Sequence, residues 1–386
     1  MTTHVFIVDE NTFKYHLEYM FAGTGVGSRN VKTGQRKNYK YVDFNNTPTS
    51  NLYPNQKHAA EAGLVAMMAD CSRMRKGDYV LFYLQATAQR EGRFYGIFKV
   101  KDTPFLDWNG FYLEQQLYKN LTFRVKIEPY QVYAKGVTEW QALDEIRNIP
   151  CPCQMLWSLI YRKLKGNRGN TMITIYESER LMDLIRRENN FVSLSNTSCF
   201  SYQNGQIVVG SVNNPYSGSV VPMDILPRLI AKYNAGLAHE THLQMYIAQS
   251  VGKGTNTTLD NALGITGKSI EWIGNEVSCG VGMQRIDVML SVEETDTQRI
   301  VMPIELKAVS ASVNNTRQMN RYIDWIEQYY IPNRRSIIQP VLICKKSSLS
   351  NKVQNSFNNF NNMAKGRYLP LKYIEYEIIG NQIVFR

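Results

Sequence analysis

Two hydrophobic patterns alternate along the chain, and each predicts a type of secondary structure. Before residue 145, four runs rich in Val, Ile, Phe and Tyr are bounded by Gly, Asp or Pro, which is typical of strands. They are "VFIVD", "DYVLFYLQA", "RFYGIFKVK" and "LTFRVKIEP". Between the first two, "AAEAGLVAMMADCSRM" has apolar residues at helical spacing and ends near Gly77. The pattern predicts a small mixed barrel or sandwich with helices.

From about 150 to 235 the pattern changes. "MLWSLIYRKLKGNRGN" predicts a helix that runs into a basic loop, and "ESERLMDLIRREN" begins like a capped helix. "FSYQNGQIVVG" predicts a hairpin because Asn204-Gly205 favours a tight turn, and "SVNNPYSGS" predicts a long loop. This stretch is predicted to connect two larger domains.

The last third begins with two helical patterns, "LPRLIAKYN" and "ETHLQMYIAQSV". After a polar insertion, strand-like runs surround one long helical stretch, "NTRQMNRYIDWIEQYY". This order predicts a mixed sheet flanked by helices. The fold class is therefore α+β or α/β with several domains, predicted as 1–150, 151–235 and 236–386.

Composition narrows the class of protein. The chain has 386 residues and a formal net charge of +11, which favours a polyanionic partner, with nucleic acid first. We expect no membrane partner because no segment has the roughly 20 apolar residues of a spanning helix. The N-terminus lacks a secretory pattern, and six scattered cysteines are typical of a reducing compartment, so we expect a cytoplasmic protein. Cys151 and Cys153 in "CPC" lack the spacing of a zinc site.

One pair of neighbouring strands carries candidate chemistry. Asp287 is the single acid in "QRIDVML", and the next strand ends in Glu305 and Lys307. Residues two apart in a strand point to the same face, so Asp287 joins them if the two strands pair. Two carboxylates beside an ammonium form an oxygen-ligand site suited to Mg²⁺, with Mn²⁺ as a substitute, and to phosphodiester hydrolysis. The alternative is an ordinary ion pair at a strand end.

Flanking residues extend this constellation. Gln318 and Tyr322 are four residues apart on one predicted helical face, and Glu240 lies on an upstream helix. In this order the residues resemble the PD-(D/E)XK nucleases, in the RecB-like branch with its Gln-x-x-x-Tyr motif and closest to NucS-type endonucleases. The resemblance covers about 236–345 and departs from the family at the insertion "GKGTNTTLDNALGITGKS".

The resemblance implies a role for each residue. Asp287 and Glu305 would bind the metal, and Lys307 would be the catalytic base or stabilise the phosphate. Glu240 would be a further acidic member, with Gln318 and Tyr322 supporting the site near the DNA backbone. Alternatively, Glu240 is a surface acid, and Gln318 and Tyr322 only pack on the sheet. "HETH" at 239–242 spaces its histidines three apart, which excludes the metalloprotease motif.

The N-terminal half offers candidate DNA-binding residues. "GTGVGS" at 23–28 follows a helical pattern and is predicted to be a turn rather than a phosphate loop. The next stretch is basic, without acids, and contains two tyrosines, a composition that suits a nucleic-acid backbone and an unstacked base. The candidate contacts in the two basic stretches are Arg29, Arg36, Lys37, Lys163, Lys165 and Arg168. A solvated loop and a plain linker are the alternatives.

The strand order over residues 3–145 is similar to the PUA-like superfamily, which includes EVE and YTH domains. That resemblance implies nucleic-acid binding, and several members hold a flipped modified base in an aromatic pocket. The aromatic candidates for such a pocket are Trp108, Phe82, Tyr83, Tyr95 and Phe94, each of which is alternatively a core residue.

Together these patterns favour a Mg²⁺-dependent, restriction-type endonuclease of double-stranded DNA. Its N-terminal domain would read either a modified base or an unmodified sequence. The alternatives are a repair endonuclease that acts on mismatched or branched DNA, as the NucS resemblance implies, and a catalytically inactive DNA-binding module. We expect a homodimer because cutting both strands with one site per chain calls for two copies.

Overall fold

The computed structural model describes residues 1–25, 27–28, 59–107, 112–144, 169–194, 197–279, 284–331 and 335–386. The described residues form two compact units, the first ending at Met223 and the second spanning Asp224–Arg386. The segment predicted to be a connection therefore divides between them. Its residues up to Met223 belong to the first unit because a strand at 170–173 pairs with the first strand of the chain.

The first unit contains thirteen strands and five helices among its described residues. The strands are β1 (Thr3–Val8), β2 (Phe21–Thr24), β3 (Gly27–Ser28), β4 (Tyr79–Leu84), β5 (Arg93–Val100), β6 (Phe105–Leu106), β7 (Lys119–Asn120), β8 (Phe123–Pro129), β9 (Val137–Thr138), β10 (Asn170–Ile173), β11 (Phe200–Gln203), β12 (Gln206–Val209) and β13 (Val221–Pro222). The helices are α1 (Glu10–Glu18), α2 (Ala59–Ser72), α3 (Glu114–Leu117), α4 (Glu139–Asp144) and α5 (Ile175–Glu188).

Nine of these strands form one sheet in the order β10-β1-β4-β5-β8-β6-β13, with β2 beside β8 and β9 beside β5. β1 and β4 are parallel, whereas β8 pairs antiparallel with β5, β6 and β2 along different parts of its length. This branching curls the sheet into a half barrel. The predicted mixture of helices and strands is confirmed for this unit, and in place of the predicted barrel or sandwich the described residues form a half barrel.

Local sequence explains where several elements begin. The Asp9 side chain accepts a hydrogen bond from the Thr12 backbone at 2.8 Å, and Thr12 reciprocates, which caps α1. Thr174 and Glu177 cap α5 in the same way. The predicted hairpin is confirmed as β11–β12, whose two turn residues, Asn204 and Gly205, have φ values of 49° and 78°.

The second unit contains seven strands and five α-helices among its described residues. The strands are β14 (Ile270–Ser278), β15 (Arg285–Glu293), β16 (Arg299–Lys307), β17 (Ser336–Ile338), β18 (Val341–Lys345), β19 (Lys372–Ile379) and β20 (Gln382–Phe385). The helices are α6 (Leu226–Asn234), α7 (Glu240–Ser250), α8 (Thr257–Leu263), α9 (Asn314–Trp325), which continues into a π-helical turn (Ile326–Tyr330), and α10 (Asn351–Asn362).

These strands form one sheet in the order β14-β15-β16-β18-β19-β20, with β17 also beside β16. β14, β15 and β16 are antiparallel to one another, whereas β16, β18 and β19 are parallel. The predicted mixed sheet is confirmed. The apolar run "IIQPVLICKK" forms two strands instead of one because it is interrupted before Val341 by Pro340, which has no backbone N–H to donate. The polar insertion contains α8, which is capped by Asn256 and ends at Gly264 with φ 72°.

Candidate functional site

The candidate site lies where β15 separates from β16. The ladder between these strands ends at the pair Val288 and Ile304. Beyond this pair, the backbone N–H of Leu306 donates to the Asp287 carboxylate at 2.8 Å instead of to a backbone carbonyl. The strands pair as predicted, and the pairing brings Asp287 beside the end of β16 that carries Glu305 and Lys307.

Lys307 connects the acidic residues of the cluster. Its Nζ lies 2.6 Å from Glu305 Oε1 and 3.6 Å from Glu240 Oε1, and it donates to the Leu306 carbonyl at 2.8 Å. The ammonium therefore lies among three oxygens from two strand residues and the first residue of α7. A cation already occupies this position, so the oxygens around it form a cation site.

The helix α9 supports Glu305 from the other side. Tyr322 is fully buried, and its hydroxyl lies 2.8 Å from Glu305 Oε2 and 2.7 Å from the Arg285 carbonyl oxygen. Gln318 donates from its amide to the same hydroxyl at 2.5 Å. A phenol has one hydrogen, so Tyr322 donates to one of its two acceptors at a time. Tyr322 is thus in contact with Glu305, and Gln318 is in contact with Tyr322, while their predicted role near the DNA backbone stays a prediction.

The electrostatics of the cluster are dominated by burial. Burial, followed by repulsion from Glu305, raises the pKa of Asp287 well above its ordinary value. Burial also raises the pKa of Glu305, although the neighbouring Lys307 opposes that rise. Burial lowers the pKa of Lys307, but attraction to Glu305 outweighs it, and the net shift is upward. Three carboxylates, including that of Glu240, face one ammonium, so the fully ionised cluster carries two negative charges.

One carboxylate oxygen of the cluster depends on a cation. Glu305 is fully buried, and its Oε1 pairs with the Lys307 ammonium at 2.6 Å. A buried carboxylate oxygen is costly without a hydrogen bond, a cation or a metal. Lys307 meets this need in the structure, and a metal ion bound by Glu305 would share the carboxylate with it.

A metal here would use a mixed set of ligands. Within the described ranges, no group of three or more His, Cys, Asp or Glu side chains is arranged to hold a metal by itself. The residues present fit a hard divalent ion through two carboxylates, Asp287 and Glu305, together with the main-chain oxygen of Leu306. The remaining coordination positions of Mg²⁺ are commonly filled by water and substrate oxygens.

Sequence reasoning missed two contributors to this site. One is the Leu306 carbonyl, because a main-chain atom has no signature in the sequence. The other is Gln244, which is buried on α7 and donates to the Asp287 carbonyl at 2.8 Å, fixing the strand from which the acid projects. Its position four residues after Glu240 on the same predicted helix was the available signal.

The other predicted contacts divide into two groups. The candidate DNA-binding residues lie outside the described residues and stay predictions; they are Arg29, Arg36, Lys37, Lys163, Lys165 and Arg168. Trp108 also lies outside the described residues. In contrast, Phe82, Phe94, Tyr95 and Tyr83 are at most 3% exposed and pack on other rings of the first unit. For these four the core alternative is correct, because both faces of the sheet are covered here: Phe82 and Tyr95 pack on Phe13 of α1, and Tyr83 and Phe94 belong to the core cluster that includes residues of α5.

Comparison with known proteins places one family in the first unit. The model of the EVE domain matches residues 66–162, a range that includes β4 to β9 and α2 to α4 in part or whole. The chain therefore contains an EVE domain, and the predicted resemblance to EVE domains is confirmed for this range. The matched range ends before the second unit begins, so the resemblance of that unit to PD-(D/E)XK nucleases stays a prediction. No curated protein matches the chain.

Similar solved structures cover about half of the chain. A hypothetical protein from Leishmania major is 13% identical with a TM-score of 0.29, and the alignment covers 49% of this chain and 96% of that one. Human THYN1 in complex with DNA containing 5-methylcytosine is 9% identical with a TM-score of 0.27, covering 48% and 97%. A protein from Pseudomonas syringae is 13% identical with a TM-score of 0.26, covering 47% and 98%.

Among the described residues, no helix is long and apolar enough to cross a membrane.

Proposed function

We propose that the chain is a Mg²⁺-dependent endonuclease of restriction type that hydrolyses phosphodiester bonds in double-stranded DNA. In this proposal the second unit cuts and the EVE domain of the first unit reads the DNA. The observation that carries the proposal is the fully buried Glu305 carboxylate, which lies 2.8 Å from the Tyr322 hydroxyl through one oxygen and 2.6 Å from the Lys307 ammonium through the other. An acid in this position destabilises the sheet unless a cation uses it.

The geometry supports a role for each residue. Asp287, Glu305 and the Leu306 carbonyl would hold Mg²⁺, which supplies polarisation of the phosphate and acidification of a water molecule. Lys307 holds a proton on Nζ and carries a positive charge beside the site, where it would stabilise charge that develops on the phosphate. Tyr322 and Gln318 keep Glu305 in one orientation, so they act as positioning residues.

The reading role rests on the EVE domain at residues 66–162 and on what the resemblance to that family implies. Two versions differ in what is read, namely a modified base or an unmodified sequence. Digesting matched modified and unmodified DNAs with Mg²⁺ separates them. Cutting only the modified DNA would support a modification-dependent enzyme, whereas cutting both at one short sequence would support sequence reading.

Two variants test the nuclease assignment. Glu305→Gln and Lys307→Met keep the size of each side chain and remove its charge, so we expect DNA binding to persist and cleavage to fall by about a hundredfold or more. The matched controls are Glu377→Gln and Lys346→Met, which disrupt an ion pair at 2.9 Å elsewhere in the second unit. Cleavage by either site variant at the rate of the controls would refute the assignment. Wild-type binding of DNA without Mg²⁺-dependent cutting would leave only the DNA-reading role.

A further inference from the structure

The first unit contains a cleft that the candidate nuclease site does not use. It has a volume of about 320 Å³ and lies between the end of α1, the end of β8 and the segment that follows α5. Its walls include Tyr19 and Met20 at one side and Asn213 to Tyr216 at the other. These two sides lie outside residues 66–162, the range that the EVE model matches, whereas Lys101 and Lys126 lie within it.

Two lysines line the floor of the cleft. Lys101 and Lys126 are neighbours across the sheet, where the Lys101 backbone N–H donates to the Lys126 carbonyl at 2.9 Å. Neither ammonium forms an ion pair with a residue in the described parts of the chain, whereas many other charged side chains of this protein are paired. Glu128 is the single acid in the lining, so the cleft has a net positive charge. Two unpaired cations in one small concave space favour an anionic ligand.

An aromatic wall of the cleft is fixed in place. The Tyr216 hydroxyl donates to the fully buried Asp107 carboxylate at 3.0 Å, and that carboxylate pairs with the buried Arg124 at 3.0 Å. The Tyr216 ring packs edge-on against Tyr112 with 4.8 Å between centroids. A ring held on two sides offers a preformed flat surface, and flat apolar surfaces bind nucleobases by stacking.

The rim carries polar groups without partners. The side chains of Ser198, Asn213 and Asn214 line the cleft, and none of them forms a hydrogen bond with another described residue. An amide offers both a donor and an acceptor, which is the combination presented by the edge of a nucleobase. These groups are free to bind a ligand.

The end of α1 shapes the wall at Met20. Met20 directly follows Tyr19, the C-cap of α1, and has φ 48°, a left-handed conformation that commonly ends helices. Its carbonyl accepts from the Ile127 N–H at 3.0 Å, which attaches this wall to β8.

We propose that this cleft binds one phosphorylated nucleoside, with its phosphate at Lys101 and Lys126 and its base on the Tyr216 side near Asn213 and Asn214. The volume is at the lower end of the range for small-molecule sites, which suits one nucleotide unit. A free nucleotide and one unit of a single strand share this chemistry. The site lies in the first unit and is independent of whether the second unit cuts DNA.

Calorimetric titration of the full chain without Mg²⁺ tests the proposal. The probes are CMP, AMP, their unphosphorylated nucleosides and a short single-stranded oligonucleotide. We expect the monophosphates to bind about tenfold more tightly than the nucleosides, and Lys101→Met/Lys126→Met to remove that difference. The matched control is Lys76→Met/Lys135→Met, which changes two exposed lysines of the same unit that form no ion pair with described residues.

Each result decides the question. A phosphate preference that is lost in the cleft variant and kept in the control supports the site. Tighter binding of the oligonucleotide than of CMP then assigns a strand as the ligand, and equal binding assigns a free nucleotide. Absence of a phosphate preference in the wild type, or equal affinities in the cleft and control variants, would overturn the proposal. Circular dichroism of both double variants verifies that they fold.

Discussion

Replacing Asp287 by Asn should increase the free energy of unfolding of the metal-free protein. It should also reduce the further stabilisation that Mg²⁺ gives. The fully ionised cluster has two negative charges in excess, and burial together with Glu305 raises the pKa of Asp287. Asn keeps an oxygen that accepts from the Leu306 N–H, now at 2.8 Å, so the substitution removes charge without removing that hydrogen bond. Removing one of several crowded, buried like charges is expected to stabilise the fold by about 1–3 kcal/mol.

Binding of Mg²⁺ should stabilise the wild type by offsetting the same excess of negative charge. At about one hundred times its dissociation constant, an ion that binds only the folded state adds about 2.7 kcal/mol to the free energy of unfolding. For a unit of about 160 residues that corresponds to roughly 5 to 10 °C in melting temperature. The Asp287→Asn variant has lost a ligand and should show little of this increase.

Tryptophan fluorescence during thermal unfolding is a suitable assay. Trp272 and Trp325 are at most 8% exposed in the second unit, so the red shift of their emission reports on the unfolding of that unit. Melting curves of the full chain with EDTA and with Mg²⁺ give both quantities. Asp296→Asn, at an exposed turn residue of the same unit, is the matched control. The reasoning is refuted if Asp287→Asn melts below the wild type in EDTA or retains the full Mg²⁺ increase.

Two further predictions concern a buried histidine and an exposed helix face. Burial, followed by Arg124, lowers the pKa of His16 from 6.5 to about 3, so the unfolded state binds the extra proton and wild-type stability falls as pH drops below about 6.5. Between pH 7 and pH 5, the free energy of unfolding of His16→Phe, measured by urea unfolding, should therefore fall by about 2 kcal/mol less than that of the wild type. The same pH dependence in both proteins would contradict this. On α9, Arg317 and Arg321 are exposed one turn apart beside Gln318 and Tyr322, without ion pairs to described residues. Replacing both by Ala should weaken DNA binding about tenfold and reduce its dependence on salt concentration. The control Lys352→Ala/Lys365→Ala should change neither. Equal losses of affinity in the two double variants would exclude this face of α9 as a DNA contact.

Periodicity was sufficient to predict the elements of the second unit that carry the cluster. Asp287 interrupts an apolar strand, and Glu305 and Lys307 are two residues apart, which places both side chains on one face whatever the rest of the fold. The four-residue step from Gln318 to Tyr322 similarly follows from helix geometry. These predictions depend on local spacing, which a single sequence contains.

Contacts between distant segments were not predictable in the same way. Tyr216 lies in "SVNNPYSGS", which reads as a loop, yet its hydroxyl binds a carboxylate 109 residues earlier in the chain. The Leu306 carbonyl joins the cation site only because β15 separates from β16 at Asp287, one residue before the pair of Val288 and Ile304. The aromatic residues of β4 and β5 were ambiguous because aromatics occupy both faces of these strands, and only the packing of distant helices, α1 on one face and α5 on the other, shows that both faces are buried.

The free-energy cost of burying Glu305 connects the local spacing of the cluster residues with the contacts between distant segments. A leucine at position 305 would pack against the buried Tyr322 without desolvating a charge, and a sheet selected only for stability would favour it. Instead the chain has a fully buried glutamate and adds a tyrosine, a glutamine and a lysine that hold it in one orientation. Because these partners lie on two separate segments, β16 and α9, the arrangement requires several residues to be kept together. A function that needs an oriented carboxylate beside a cation accounts for all four, whereas an ordinary ion pair at a strand end accounts only for Glu305 and Lys307.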